Sequence, residues 1–217
     1  MEKIEYRGIN VEVMQDEDPI NYRKDEDIFT KMVCWHRRYE LGDEQPTCDP
    51  KDYKTSRGCV ELHITKDSRY KFLNLYLYDH SGITMNTSGF SCGWDSGCVG
   101  FIYMSIQSLR DVGYKIPKKA NWKTIVDNPF YRENMKPRDI LSQGFPNDKK
   151  VTLEDLAYRF MKHDVKRYDD YLTGNCYMYK INHDDFDDMW ITGFTSEDIK
   201  FEYESVIDSF LDKKEVV

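Results

Sequence analysis

The chain has 217 residues, 40% of them hydrophobic and 14% aromatic, and a net charge of −8. That length can bury a sizeable core, and with no run of about 18 apolar residues a membrane-spanning helix is excluded. The opening "MEKIEYRGINVEV" lacks the apolar stretch of a secretory signal, so a cytoplasmic protein with no membrane partner is expected. The charge is unevenly placed: residues 183–217 hold eleven acids against three bases, while residues 1–182 hold 28 of each sign. A protein that tracks a nucleic-acid backbone needs a basic face, so direct nucleic-acid binding is not expected.

In chain order, "GINVEVM" at 8–14 alternates like a half-buried strand, and "TKMVCWH" at 30–36 reads as another. The charged stretch between them, residues 15–29, carries a proline and reads as a loop or exposed edge. Strands follow at 59–65 ("CVELHIT"), 70–78 ("YKFLNLYLY"), 83–88 and 99–105, and their short connections point to a largely antiparallel sheet. Ser105 is placed to cap a short helix that Gly113 ends. Residues 115–150 hold four of the seven prolines and read as a loop-rich insertion, with one short helix near "NWKTIVDN". Thr152 and Asp155 form a capping pair for a helix whose apolar stripe runs Leu153, Leu156, Phe160, Val165, Tyr168 and Leu172 before Gly174. "NCYMYKI" and "DMWITGF" read as two more strands. A final helix opens at Thr195 or Ser196 and sets Ile199, Tyr203, Val206, Ile207 and Phe210 on one stripe. The expected class is α+β, a single domain with a largely antiparallel sheet and two to four helices.

The polar residues concentrate in four places. Asp79-His80-Ser81-Gly82 has the residues a hairpin loop prefers, and it also offers His80 as a general base or metal ligand oriented by Asp79. Phe90 to Gly97 adds Cys92, Trp94, Asp95 and Ser96. A thiolate nucleophile needs a base such as His80, which makes His80, Cys92 and Asp95 the candidate catalytic set. The structural alternative puts Phe90 and Trp94 in the core, with Asp95, Ser96 and Gly97 as an Asx turn. His36-Arg37-Arg38-Tyr39 suits a carboxylate or phosphate, or else its arginines pair with Glu40 and Asp43. Asp184, Asp185, Asp187 and Asp188 form an acidic run that is a solvated loop, an imitation of phosphate spacing or a divalent-cation site, although the EF-hand pattern with its Gly and terminal Glu is absent. The six cysteines, Cys34, Cys48, Cys59, Cys92, Cys98 and Cys176, contain no C-x-x-C pair. Free thiols, no metal and no cofactor are expected.

Two segments, "TKMVCWHRRYELGD" at 30–43 and "YDHSGITMNTSGFSCGWDSGCVGFIY" at 78–103, resemble the signatures of a family of uncharacterised proteins of phages and bacterial mobile elements. "DDYLTGNCYMYKI" at 169–181 is similar to a third, weaker block. Gly93 and Cys98 stand where the family tends to have Pro and Gln, which argues against Cys98 as a ligand or nucleophile. The resemblance implies a context in the host cytoplasm: an accessory protein that binds and inhibits a host protein, such as a CRISPR or other defence component. His36, Arg37, Arg38, Asp79, Trp94 and the four aspartates of 184–188 are its candidate contact residues. Sixteen tyrosines suit such a surface. The alternative is a small Cys/His-dependent enzyme acting on a nucleotide or peptide.

Overall fold

The computed structural model describes residues 1–25, 28–46, 69–111, 113, 114, 116, 151–196 and 198–215. The strand read at 59–65 and nearly all of the insertion read at 115–150 lie outside these residues, as do Cys48 and Cys59. Among the described residues the protein is α+β, with four helices and two antiparallel four-stranded sheets. The chain separates into two compact units. One comprises residues 1–26, 82–84 and 167–217, and the other residues 27–81 and 85–166.

The sheet of the first unit has the order β1 (Glu2–Tyr6), β2 (Ile9–Gln15), β7 (Cys176–Asn182), β8 (Ile191–Thr195). The alternation read in β2 is real: Ile9, Val11 and Val13 are buried and Asn10 faces out. They meet Tyr179 and Ile181 of β7 and then Ile199, Tyr203 and Ile207 of the last helix, α4 (Ile199–Glu215), with Val206 and Phe210 flanking. Residues four apart on a helix share a face, so the spacing of Ile199, Tyr203 and Ile207 is what lets α4 cover the strands. Thr195 caps this helix by accepting the Asp198 amide at 3.3 Å. One reading needs correction, and one strand was not read at all. Residues 15–29 are not all loop, because Asn21 accepts the Arg23 amide at 3.1 Å and starts the short helix α1 (Tyr22–Asp25). The N-terminal residues 2–6 form a strand, paired through a tight turn at Arg7-Gly8, where Arg7 holds φ 50° and bonds Asp208 at 2.8 Å.

The second sheet has the order β3 (Lys31–Cys34), β6 (Ser96–Ser105), β4 (Tyr70–Asp79), β5 (Ile83–Asn86). Val33 and Phe101 are fully buried at its centre among Trp35, Tyr70, Phe72 and Tyr103. Gly100 lies opposite Cys34, and a Cβ there would stand 2.1 Å from the Val33 carbonyl oxygen, so the close approach of β3 to β6 requires a glycine. Ser105 caps α2 (Ile106–Asp111), its Oγ accepting the Gln107 amide at 3.1 Å, and Gly113 follows at φ 97°. The capping box of α3 (Leu153–Leu172) forms as read: Asp155 donates its amide to Thr152 Oγ1 at 3.2 Å and accepts the Thr152 amide at 2.9 Å. Leu156, Val165 and Tyr168 are buried as the stripe predicts, and Ala157 and Met161 widen it.

Candidate functional site

Three of the sequence's four polar segments meet in one place in the second unit. β4 and β6 run antiparallel with Tyr78 opposite Ser96, and the pairing continues one step further through the Asp79 amide, which donates to the Asp95 carbonyl at 2.8 Å. β6 therefore begins at Ser96, not at 99, and the Asx-turn reading of 95–97 gives way to ladder geometry. The hairpin reading of Asp79 to Gly82 fits, with Ser81 carrying φ 59° between β4 and β5. On the other side of β6, the chain leaving β3 brings His36, Arg37 and Arg38 to the same end of the sheet. These three residues, with Asp79, Trp94 and Asp95, line an open cleft of about 370 Å³ floored by Leu77, Gly97 and Val99.

Each cleft residue has a distinct state. Arg38 forms an ion pair with Asp79, whose other carboxylate oxygen accepts from Tyr39 at 3.3 Å. Tyr39, which the sequence reading left without a role, also stacks on His36 with ring centres 4.9 Å apart and lies beneath the Arg38 guanidinium at 5.4 Å. The expected partners Glu40 and Asp43 do not hold the arginines: Asp43 instead accepts the Met32 amide at 2.7 Å. Arg37 is exposed, and among the described residues it makes no ion pair or hydrogen bond. Burial lowers the His36 pKa below 6.5. The Asp79 carboxylate opposes this, and the charges of Arg38 and Arg37 reinforce it. The His36 Nδ1 accepts the Arg38 amide, 3.3 Å away.

Trp94 is 97% exposed. The structural alternative that places it in the core is overturned, and only Phe90 turns inward, against Tyr78 at 5.6 Å between ring centres. Transfer of so large an apolar side chain from water is worth about 2 kcal/mol or more, and none of that is collected at this position in the free protein.

The three candidate catalytic residues are also neighbours, but in the wrong order. Asp95 Oδ2 accepts the Cys92 thiol at 3.7 Å and lies 3.5 Å from His80 Nδ1. Nucleophilic catalysis by a thiol places the base next to the nucleophile and the acid behind the base. Here the carboxylate is the shared partner, and among the described residues no thiol–imidazole hydrogen bond forms. Cys98 is occupied with the Gly100 carbonyl at 3.6 Å. Among the described residues no group of three or more His, Cys, Asp or Glu is disposed to hold a metal ion, and no helix is long and apolar enough to cross a membrane.

The remaining candidates, Asp184, Asp185, Asp187 and Asp188, lie in the first unit, in the link from β7 to β8, and are no part of the cleft. Asp188 pairs with Lys180, and Asp185 lies 3.6 Å from His183 Nδ1. No family model, curated protein or solved structure matches the chain.

Proposed function

We propose that the protein is a binding protein that docks a partner protein through the cleft of its second unit, with Trp94 and Arg37 as the anchoring side chains. The observation that carries this reading is the exposure of Trp94 at 97%, on the rim of a cleft that also holds the exposed Arg37, which among the described residues makes no ion pair or hydrogen bond. Trp and Arg are the side chains that most often dominate interface energetics, and both are spent on water here. The Arg38–Asp79 pair and the His36–Tyr39 stack hold the rim in place beforehand, so little conformational entropy is lost on docking. An acidic residue of the partner opposite Arg37 and an apolar recess for Trp94 complete the match.

The likeness of residues 30–43 and 78–103 to phage and mobile-element proteins supports a specific setting: a host protein as partner, and inhibition of a defence component as the outcome. Affinity capture from bacteria that carry such defences, with wild-type, Trp94→Ala and Arg37→Ala proteins side by side, tests the reading. A host protein retained by the wild type and lost from both variants is expected, together with loss of protection of an infecting phage. Equal capture by all three proteins would contradict it.

A further inference from the structure

The two edges of the first unit's sheet are unlike. β1 reads Glu2-Lys3-Ile4-Glu5-Tyr6 and exposes its charges, which is how an edge strand discourages another strand from pairing. β8, at the opposite edge, reads Ile191-Thr192-Gly193-Phe194-Thr195. It has no charged residue, exposes its first three positions, and among the described residues has no strand on its outer side. Its four residues Thr192 to Thr195 line a cavity of about 110 Å³. Ile20 forms part of the same wall at 61% exposure, and the Arg167 guanidinium carbon lies over the Tyr22 ring, 4.2 Å from its centre. Since a dry cavity of about 150 Å³ takes a benzene ring, this one suits a single aliphatic side chain.

Acidic residues flank the strand. Asp184, Asp185, Asp187 and Asp188 come just before it. Asp16, Glu17 and Asp18 line an adjoining hollow that shares Pro19 and Tyr171 with the cavity. By sequence, this unit carries 21 acids against 9 bases, a net −12.

The geometry points to β8 as the acceptor edge for a basic, extended segment of a partner protein. The segment adds as a fifth strand, seats one aliphatic side chain in the cavity and sets its Lys or Arg side chains toward the flanking acids. Backbone hydrogen bonds supply affinity in this mode, while the cavity and the acids choose the sequence. A second copy of the chain is the poorer occupant, because β8-to-β8 pairing would bring two sets of the same acids together. The surface lies in a different unit from the Trp94 cleft and does not depend on it.

The test uses the full chain and a labelled short peptide alternating Lys and Val, with binding read by fluorescence anisotropy. Saturable binding is expected, weakening as salt rises. The same peptide N-methylated at alternate residues should bind about tenfold more weakly, as expected from losing one or two backbone hydrogen bonds. A peptide alternating Glu and Val should not bind. Thr192→Lys, at an exposed position, should weaken the Lys/Val peptide by about tenfold at unchanged melting temperature, because a charge blunts the edge. Failure of the Lys/Val peptide to bind would overturn the proposal. So would equal binding of its N-methylated form, which would reduce the effect to bare electrostatics. Sedimentation showing a wild-type dimer that Thr192→Lys converts to monomer would assign the edge to a second copy and overturn it too.

Discussion

Replacing Gly100 with Ala tests whether the strands that carry the cleft are held by a contact that only glycine allows. The added Cβ would lie 2.1 Å from the Val33 carbonyl oxygen, 0.9 Å inside the 3.0 Å limit that real Cβ contacts respect. The obstacle is backbone, so no side chain can rotate away. β3 must separate from β6 at the Cys34–Gly100 pair, in a ladder that spans only Lys31 to Cys34. Overpacking strain with one or two weakened ladder bonds costs about 2–4 kcal/mol, which is about 5–12 °C in melting temperature for a chain of this size. Gly97 in the same strand is the control, since its Cβ would meet nothing within 4 Å. Thermal denaturation followed by circular dichroism should place Gly97→Ala within about 1–2 °C of the wild type. Because β3 leads directly into His36 and Arg37, Gly100→Ala should also weaken partner capture. A Gly100→Ala protein that melts with the wild type, or a Gly97→Ala protein equally destabilised, would refute the reasoning.

Thr152→Ala removes the acceptor of the Asp155 amide and should cost about 1 kcal/mol, or 2–4 °C, while Thr152→Ser retains stability. Burial, the Glu44 charge and its 3.2 Å hydrogen bond raise the Tyr103 pKa above its ordinary 10. As pH rises past 10 the unfolded chain loses this proton before the folded one does, so the contribution is full below pH 10 and lost above it. Melting temperatures measured across pH 8–11 should therefore fall less steeply above pH 10 in Tyr103→Phe than in the wild type. His36 has the opposite sense, with its folded pKa below 6.5: on acidification the unfolded chain takes up the proton first, and stability falls as pH drops through 6.5 and below. Its imidazole, followed by NMR, should titrate below 6.5, and a midpoint above that value would contradict the burial of the ring against Tyr39.

The elements that rest on local patterns were legible. The Thr152–Asp155 box, the Ser105 cap, the alternation of β2 and the stripe of α4 depend on side chains within a few positions of one another, and each forms as its spacing predicts. The division into two sheets was not legible. β2 pairs with β7 from the far end of the chain, and hydrophobic alternation marks which face is buried without naming the partner strand. β1 escaped because Glu2, Lys3 and Glu5 break any alternation on an exposed edge, where β propensity is a weak signal. In the cleft, the proximity of Asp79 to Asp95 follows from neighbouring strands with short connections. The approach of His36 and Arg38 depends on β6 lying between β3 and β4, which no local pattern encodes. For Trp94 the sequence left a contact surface and the core both open, because an aromatic in a short loop often plugs a core, and only the position of the loop beyond the strand end shows that it faces water.

The central claim is that Trp94 is the anchor of a protein interface. The most direct measurement is ¹⁹F NMR of the protein carrying 5-fluorotryptophan, with the Trp94 resonance assigned through Trp94→Phe, before and after addition of the captured host partner. The account predicts that the Trp94 resonance shifts and loses its exposure to solvent, while that of Trp35, packed against Phe101 at 6.4 Å, stays in place. A partner that binds while Trp94 remains unshifted and solvent-exposed would contradict it.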